Sequence, residues 1–245
     1  MSFRNRILFL YDIDGTLVKL DGGRLVYQKV LSETLRKDIS LEHIDWLGTT
    51  DVEVIHKILC DNGFAGKQLV TKMFEVFEKA SELFREMIEK NPEKLRALPY
   101  AKETTEWTYK NYYNCLLTGN IRKIAYMKLS PFGMDKYFPV GAFGDEKKSR
   151  TKLVPIAIKR SMKHYNTSFD EFFIIGDSHR DTITARENGI RSIIVTTGKM
   201  SKEELEKFAP DFLIDSLSEL PKIVAQFTDS PSPIPYTPDS PHKQH

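Results

Sequence analysis

Short, uninterrupted apolar runs that lead into polar or acidic residues constrain this chain more than any other feature. Ile7-Leu8-Phe9-Leu10-Tyr11 runs straight into Asp12. Similar runs recur at Cys115-Leu116-Leu117, Phe172-Phe173-Ile174-Ile175 and Ser192-Ile193-Ile194-Val195, and more weakly from Val140 to Phe143. Runs this short, with no polar alternation, suit strands buried on both faces. Helical patterns lie among the later ones: Asn120 to Leu129, Thr151 to His164, and Thr182 to Asn188 with Gly189 as a stop. Ser201 with Glu204 has capping-box spacing for a further helix through Phe208. Strands alternating with helices imply an α/β fold whose parallel sheet is covered on both faces.

The segment from about Leu20 to Leu98 reads differently. It has no comparable strand run, and its periodicity is helical in Leu25 to Leu35, Val52 to Leu59 and Leu69 to Ile88. An all-helical insert after the first strand is expected, with Pro92 and Pro99 marking its exit. The expected division is therefore a core of residues 1–18 and 100–228, an α-helical cap of residues 19–99, and a disordered Pro- and Ser-rich tail of residues 229–245.

A chain of 245 residues with 40% hydrophobic content is large enough for such a core plus insert. Lys and Arg total 36 against 34 for Asp and Glu, a balance that gives no sign of a nucleic-acid or membrane-surface partner. Cys60 and Cys115 make neither a disulfide framework nor a zinc motif, and Cys115 in its apolar run reads as core. The stretch Ile7 to Tyr11 is too short for a signal-peptide core or a membrane span, so a reducing, cytoplasmic setting is expected.

Candidate chemistry clusters where strands end. Asp12-Ile13-Asp14-Gly15-Thr16-Leu17 places two carboxylates at the end of the first strand, with Gly15 permitting the turn. In open parallel sheets, ligands bind beyond the carboxyl ends of the strands. Gly176-Asp177-Ser178-His179-Arg180-Asp181 repeats the pattern after Phe172 to Ile175, and Asp181 could equally serve as a helix-start acid. An oxygen-rich cluster of this kind suits Mg²⁺. Thr118-Gly119-Asn120 offers a hydroxyl and backbone N–H groups at a strand-to-helix turn, a candidate phosphate cradle. A cation should offset the phosphate, and Lys147, Lys148, Ser149, Arg150, Thr151 and Lys152 precede a helix.

These motifs, in this order, resemble those of the haloacid dehalogenase-like hydrolases, specifically phosphatases similar to phosphoglycolate phosphatase. The resemblance covers most of the chain and implies a Rossmann-like core with an inserted helical cap. It implies Asp12 as nucleophile, forming an aspartyl-phosphate, and Asp14 as general acid/base. Thr118 would bind the phosphoryl group together with Gly119 and Asn120. Mg²⁺ would be held by Asp12, the backbone carbonyl of Asp14 and Asp177, with Asp181 orienting the shell. The cationic motif departs from the usual Lys-Pro; Lys147 or Lys148 could serve, and Arg150 is favoured because Arg-x-x-Leu (Arg150 to Leu153) occurs in some relatives. Gly48-Thr49-Thr50-Asp51 looks like the cap loop that dips toward substrate, Thr49, Thr50 and Asp51 being its candidates, although a turn ahead of the Val52 helix fits equally well. His179 and Arg180 are placed at the mouth, as exposed loop residues. The expected activity is hydrolysis of a small phosphorylated metabolite. A phosphomutase of the same fold, or a non-catalytic regulatory member, is the alternative. The acid/base at Asp14 argues against a dehalogenase.

Overall fold

The computed structural model describes residues 6–44, 46, 48–147 and 149–228. The tail expected at residues 229–245 and the candidate Lys148 lie outside them. Six parallel strands form the main sheet in the order β5-β4-β1-β6-β7-β8. They are β1 (Ile7–Tyr11), β4 (Tyr113–Leu117), β5 (Gly141–Ala142), β6 (Glu171–Gly176), β7 (Arg191–Val195) and β8 (Phe212–Ile214). The apolar run Ile7–Tyr11 takes the centre because every one of its residues is buried. Alternate residues feed two cores. Ile7, Phe9 and Tyr11 join Leu116, Phe173 and Ile175 on one face, while Leu8 and Leu10 join Cys115, Leu117 and Ile174 on the other. Side chains of this size, buried on both faces, bind β1 tightly; truncating Phe9 to alanine would cost about 3–5 kcal/mol.

The chain builds outward from β1 to β4 and β5, then crosses back to β6, β7 and β8. Strand order therefore reverses at β1, and the crevice beyond its carboxyl end is the topological switch point. Helices α4 (Ala101–Asn111), α5 (Arg122–Leu129), α6 (Val154–Tyr165), α7 (His179–Glu187), α8 (Lys202–Glu206) and α9 (Leu220–Val224) make the connections and the C-terminal cover. Helix α4 carries no obvious hydrophobic period because its buried face is largely threonine: Thr104, Thr105 and Thr108 lie there with Ala101 and Trp107. The hydroxyl of Thr108 meets that of Tyr11 at 3.0 Å, a hydrogen bond that satisfies both in the core.

The insert is not all-helical, as its periodicity implied. It begins and ends in a two-stranded antiparallel ribbon of β2 (Val18–Leu20) and β3 (Leu95–Ala97), in the register Val18–Ala97 and Leu20–Leu95. Strands of three residues are too short to show a period. Between them, α1 (Gly23–Leu35), α2 (Asp51–Asp61) and α3 (Gly66–Lys90) pack around Val30, Leu31, Ile55, Leu59, Val76 and Phe84. Ile121 and Ile124 of the main body join this cluster, so the insert rests on the start of α5. Among the described residues, no helix is long and apolar enough to cross a membrane.

Candidate active site

The backbone leaves β1 at Asp12, whose N–H still donates to the Ile175 carbonyl at 2.9 Å, and turns at Gly15. Gly15 has φ +77°, and a side chain there would overlap the Asp177 carboxylate. Both the left-handed backbone and the close approach demand glycine. The Thr197 hydroxyl donates to the Gly15 carbonyl at 2.6 Å and pins the turn. Asp177 follows β6 directly. Asp181 sits in the first turn of α7, where its Oδ2 accepts from the Ser178 N–H at 3.1 Å and the Ser178 hydroxyl at 2.6 Å. The two sequence readings of Asp181 are thus compatible: it caps the helix and still faces the site.

Carboxylate oxygens of Asp12, Asp177 and Asp181 lie within 4.8 Å of one another, and all three residues are buried. Arg150 closes the group from behind. One guanidinium nitrogen stands 2.6 Å from Oδ1 of Asp181 and 3.3 Å from Oδ1 of Asp12, and donates to the Leu117 carbonyl at 3.1 Å. One guanidinium cannot balance three buried carboxylates. Burial, offset in part by Arg150, pushes Asp12 up to about 6. Burial and the neighbouring charges of Asp12 and Asp181 hold Asp177 well above the usual carboxylate range. Hard oxygen donors carrying surplus negative charge fit a divalent cation such as Mg²⁺, which would relieve that cost.

Asp14 turns its side chain elsewhere. Both of its oxygens accept from the Lys128 ammonium, at 2.8 and 2.7 Å, and Oδ2 also accepts from the Asn120 amide at 2.7 Å. Asn120 donates to the Thr118 hydroxyl oxygen at 2.8 Å as well, so Thr118 and Asp14 are joined through one carboxamide. Thr118 is buried at the end of β4, and its N–H donates to the Ala142 carbonyl at 3.2 Å. The Gly119 carbonyl accepts from the Asp51 N–H at 2.8 Å, and the Gly144 carbonyl accepts from the Val52 N–H at 3.3 Å. Those two bonds dock the insert on the core loops. A side chain at Gly119 would overlap the Thr49 carbonyl.

Of the loop residues proposed for substrate contact, Thr49 and Thr50 bond locally and Asp51 bonds to the core. The Thr50 hydroxyl caps α2 by accepting from the Glu53 N–H at 3.1 Å, and the Thr49 hydroxyl donates to the Trp46 carbonyl at 3.1 Å. Asp51 is buried, and its Oδ2 accepts from the Tyr27 hydroxyl at 2.7 Å and the Ile121 N–H at 3.0 Å. Burial raises the Asp51 carboxyl to about 6, against the opposing pull of the Tyr27 donor. Lys147 is exposed, whereas Arg150 is buried among the acids. His179 and Arg180 belong to the first turn of α7 rather than to an exposed loop; with Ser178 as its cap, that helix starts three residues earlier than the pattern from Thr182 implied. The His179 ring lies 4.7 Å from that of Phe208. Sequence reasoning missed Lys128. Its signal was a lysine in the inward stripe Ile124, Ala125, Lys128, Leu129 of α5.

The chain is similar in sequence and fold to known proteins. A family model described as HAD-hydrolase-like matches residues 149–220. A phosphoglycolate phosphatase of Vibrio parahaemolyticus is 28% identical over 222 residues, spanning 89% of this chain and 96% of its own. The chain is similar to the haloacid dehalogenase-like hydrolases. The chain is also similar to the pyrophosphatase PpaX of Halalkalibacterium halodurans, 25% identical over 109 residues, 44% of this chain and 50% of that protein. A haloacid dehalogenase-like family hydrolase of Streptococcus pneumoniae shares the fold, with a TM-score of 0.57 and 16% identity over 92% of this chain and 99% of its own.

Proposed function

We propose that this hydrolase is a Mg²⁺-dependent phosphomonoester phosphatase that works through an aspartyl-phosphate on Asp12. The observation that carries the reading is the buried carboxylate group Asp12, Asp177 and Asp181 at the switch point, with Arg150 behind it. Asp12, Asp177, Asp181 and the backbone carbonyl of Asp14 would hold the ion. When bound, Mg²⁺ neutralises charge on the phosphoryl group and on its attacker.

Arg150 engages Oδ1 of Asp12 and leaves Oδ2 to attack phosphorus. A new P–O bond forms to Asp12 as the ester P–O bond breaks, and the Asp14 carboxyl gives its proton to the leaving oxygen. The Asp14 carboxylate then takes a proton from water, whose oxygen attacks phosphorus and frees Asp12. Because the Thr118 oxygen accepts from Asn120, its own proton remains to bond a phosphoryl oxygen. Asp12, Thr118, Arg150, Asp177 and Asp181 are all at most 7% exposed, and Thr49 and Asp51 lie against Gly119, next to Thr118. A substrate must lift the loop of residues 48–51 to enter, and redocking excludes all but the reacting water. The enclosure favours a small metabolite, and phosphoglycolate is the first compound to test, given the relative from Vibrio parahaemolyticus.

Purified protein should release phosphate from phosphoglycolate or an aryl phosphate only with Mg²⁺, with Ca²⁺ or fluoride–metal phosphate mimics inhibiting. Asp12→Asn should lose at least about 10³-fold in kcat while keeping its fold. Full activity in that variant would defeat the reading.

A further inference from the structure

A lysine that is 5% exposed and set in the apolar stripe of a helix is expensive unless it is paired. Lys128 spends its whole donor capacity on two groups. Its ammonium donates to Oδ1 and Oδ2 of Asp14, at 2.8 and 2.7 Å, and to Oδ1 of Asn120 at 2.7 Å. Asn120 closes the ring by donating to Oδ2 of Asp14 at 2.7 Å. The Lys128 side chain is only 6% exposed, whereas that of Asp14 is 45% exposed. Left alone, so open a carboxylate would sample several rotamers in water; two fixed donors select one. The insert helps to build this clamp, because the ring of Phe84 on α3 lies 5.9 Å from the ammonium. A methionine would fill the same stripe at lower cost, so apolar packing does not account for the lysine.

The geometry points to Lys128 as the positioning residue for Asp14. It acts through the Asn120 ring to aim the acid/base at the leaving oxygen, and it contacts neither the nucleophile nor the carboxylates that would hold the ion. This inference rests on the phosphatase reading, in which Asp14 protonates the leaving group. Aim matters only when the leaving group needs a proton. An alkoxide does; 2,4-dinitrophenolate, a weak base, does not.

The test compares kcat/KM for phosphoglycolate and for 2,4-dinitrophenyl phosphate, since that parameter covers the steps up to transfer onto Asp12. Lys128→Met should lower it about 100-fold for phosphoglycolate but no more than about 5-fold for the dinitrophenyl ester, the difference being the scale of general acid catalysis. Lys128→Arg should restore part of the loss by supplying a new pair of donors to Asp14. If Lys128→Met fails to fold, as judged by circular dichroism, Lys128→Gln carries the same expectation. Equal losses on both esters, or no loss on either, would overturn the inference. Asp12→Asn separates the two levels. Should that variant keep its turnover, the phosphatase reading fails; should it be inactive while Lys128→Met shows no preference between esters, only the role of Lys128 fails.

Discussion

Asp51 gives the most quantitative test of how the insert is seated. Its carboxyl is buried, accepts from Tyr27 and from the Ile121 N–H through one oxygen, and has its pKa raised by burial from 3.8 to about 6. A carboxyl raised in the folded state favours folding while it is protonated, and the benefit disappears as pH climbs through the folded value. Keeping Asp51 ionised at pH 7.5 therefore costs the folded chain about 3 kcal/mol relative to the protonated form. Asp51→Asn keeps an oxygen that can accept both hydrogen bonds and cannot ionise. Its stability relative to wild type should be flat below pH 4, rise between about pH 4 and 6, and level off higher by about 3 kcal/mol. Asp12 and Asp177 titrate in both proteins and cancel in the difference. Urea midpoints of the two proteins from pH 3.5 to 8, in metal-free buffer, read this directly. A difference that stays constant across the range would refute the burial argument. A falling difference would mean that Tyr27 and Ile121 stabilise the charge more than burial penalises it.

Other consequences follow from the charge balance of the site. Arg150→Met removes the one guanidinium among three buried carboxylates and should cost about 3–5 kcal/mol in metal-free urea unfolding, with Mg²⁺ recovering part of the loss. Mg²⁺ at about 100 times its dissociation constant should stabilise the wild type by about 2.7 kcal/mol, measured as a thermal shift; Asp177→Asn should abolish most of that response. If Asp177→Asn responds to Mg²⁺ as fully as wild type does, the ion does not use this residue.

The acids were legible because each follows an apolar run that could be nothing but buried strand. A carboxylate placed right after Ile7–Tyr11 or Phe172–Ile175 has to emerge at the same edge of a parallel sheet, and Asp12, Asp177 and Asp181 do converge. Position ahead of a helix leaves Lys147, Lys148 and Arg150 open together, and only the resemblance of the stretch Arg150 to Leu153 to some relatives favours Arg150, which is buried beside the acids. Lys128 lies near the end of α5, away from any helix start where a phosphate-binding cation is expected. Its cue lay in the wrong register of an otherwise apolar stripe. Pairing partners 114 residues apart in the chain, Lys128 and Asp14, leave no local spacing to detect. The ribbon of β2 and β3 escaped because three residues cannot display a period, and α4 because threonines line its inward face. The docking of Asp51 and Val52 on Gly119 and Gly144 is made by backbone groups, which side-chain identity does not encode.

A covalent event at the tip of β1 is the step that distinguishes this mechanism from direct attack by water. Enzyme mixed with Mg²⁺ and excess substrate, quenched in acid within one turnover and digested, should yield a peptide containing Asp12 that carries one added phosphoryl group, labile to hydroxylamine. The same peptide from Asp12→Asn should carry none. Rapid turnover with no phosphoryl group trapped on Asp12 at any quench time, or with the label on another residue, would contradict the central claim.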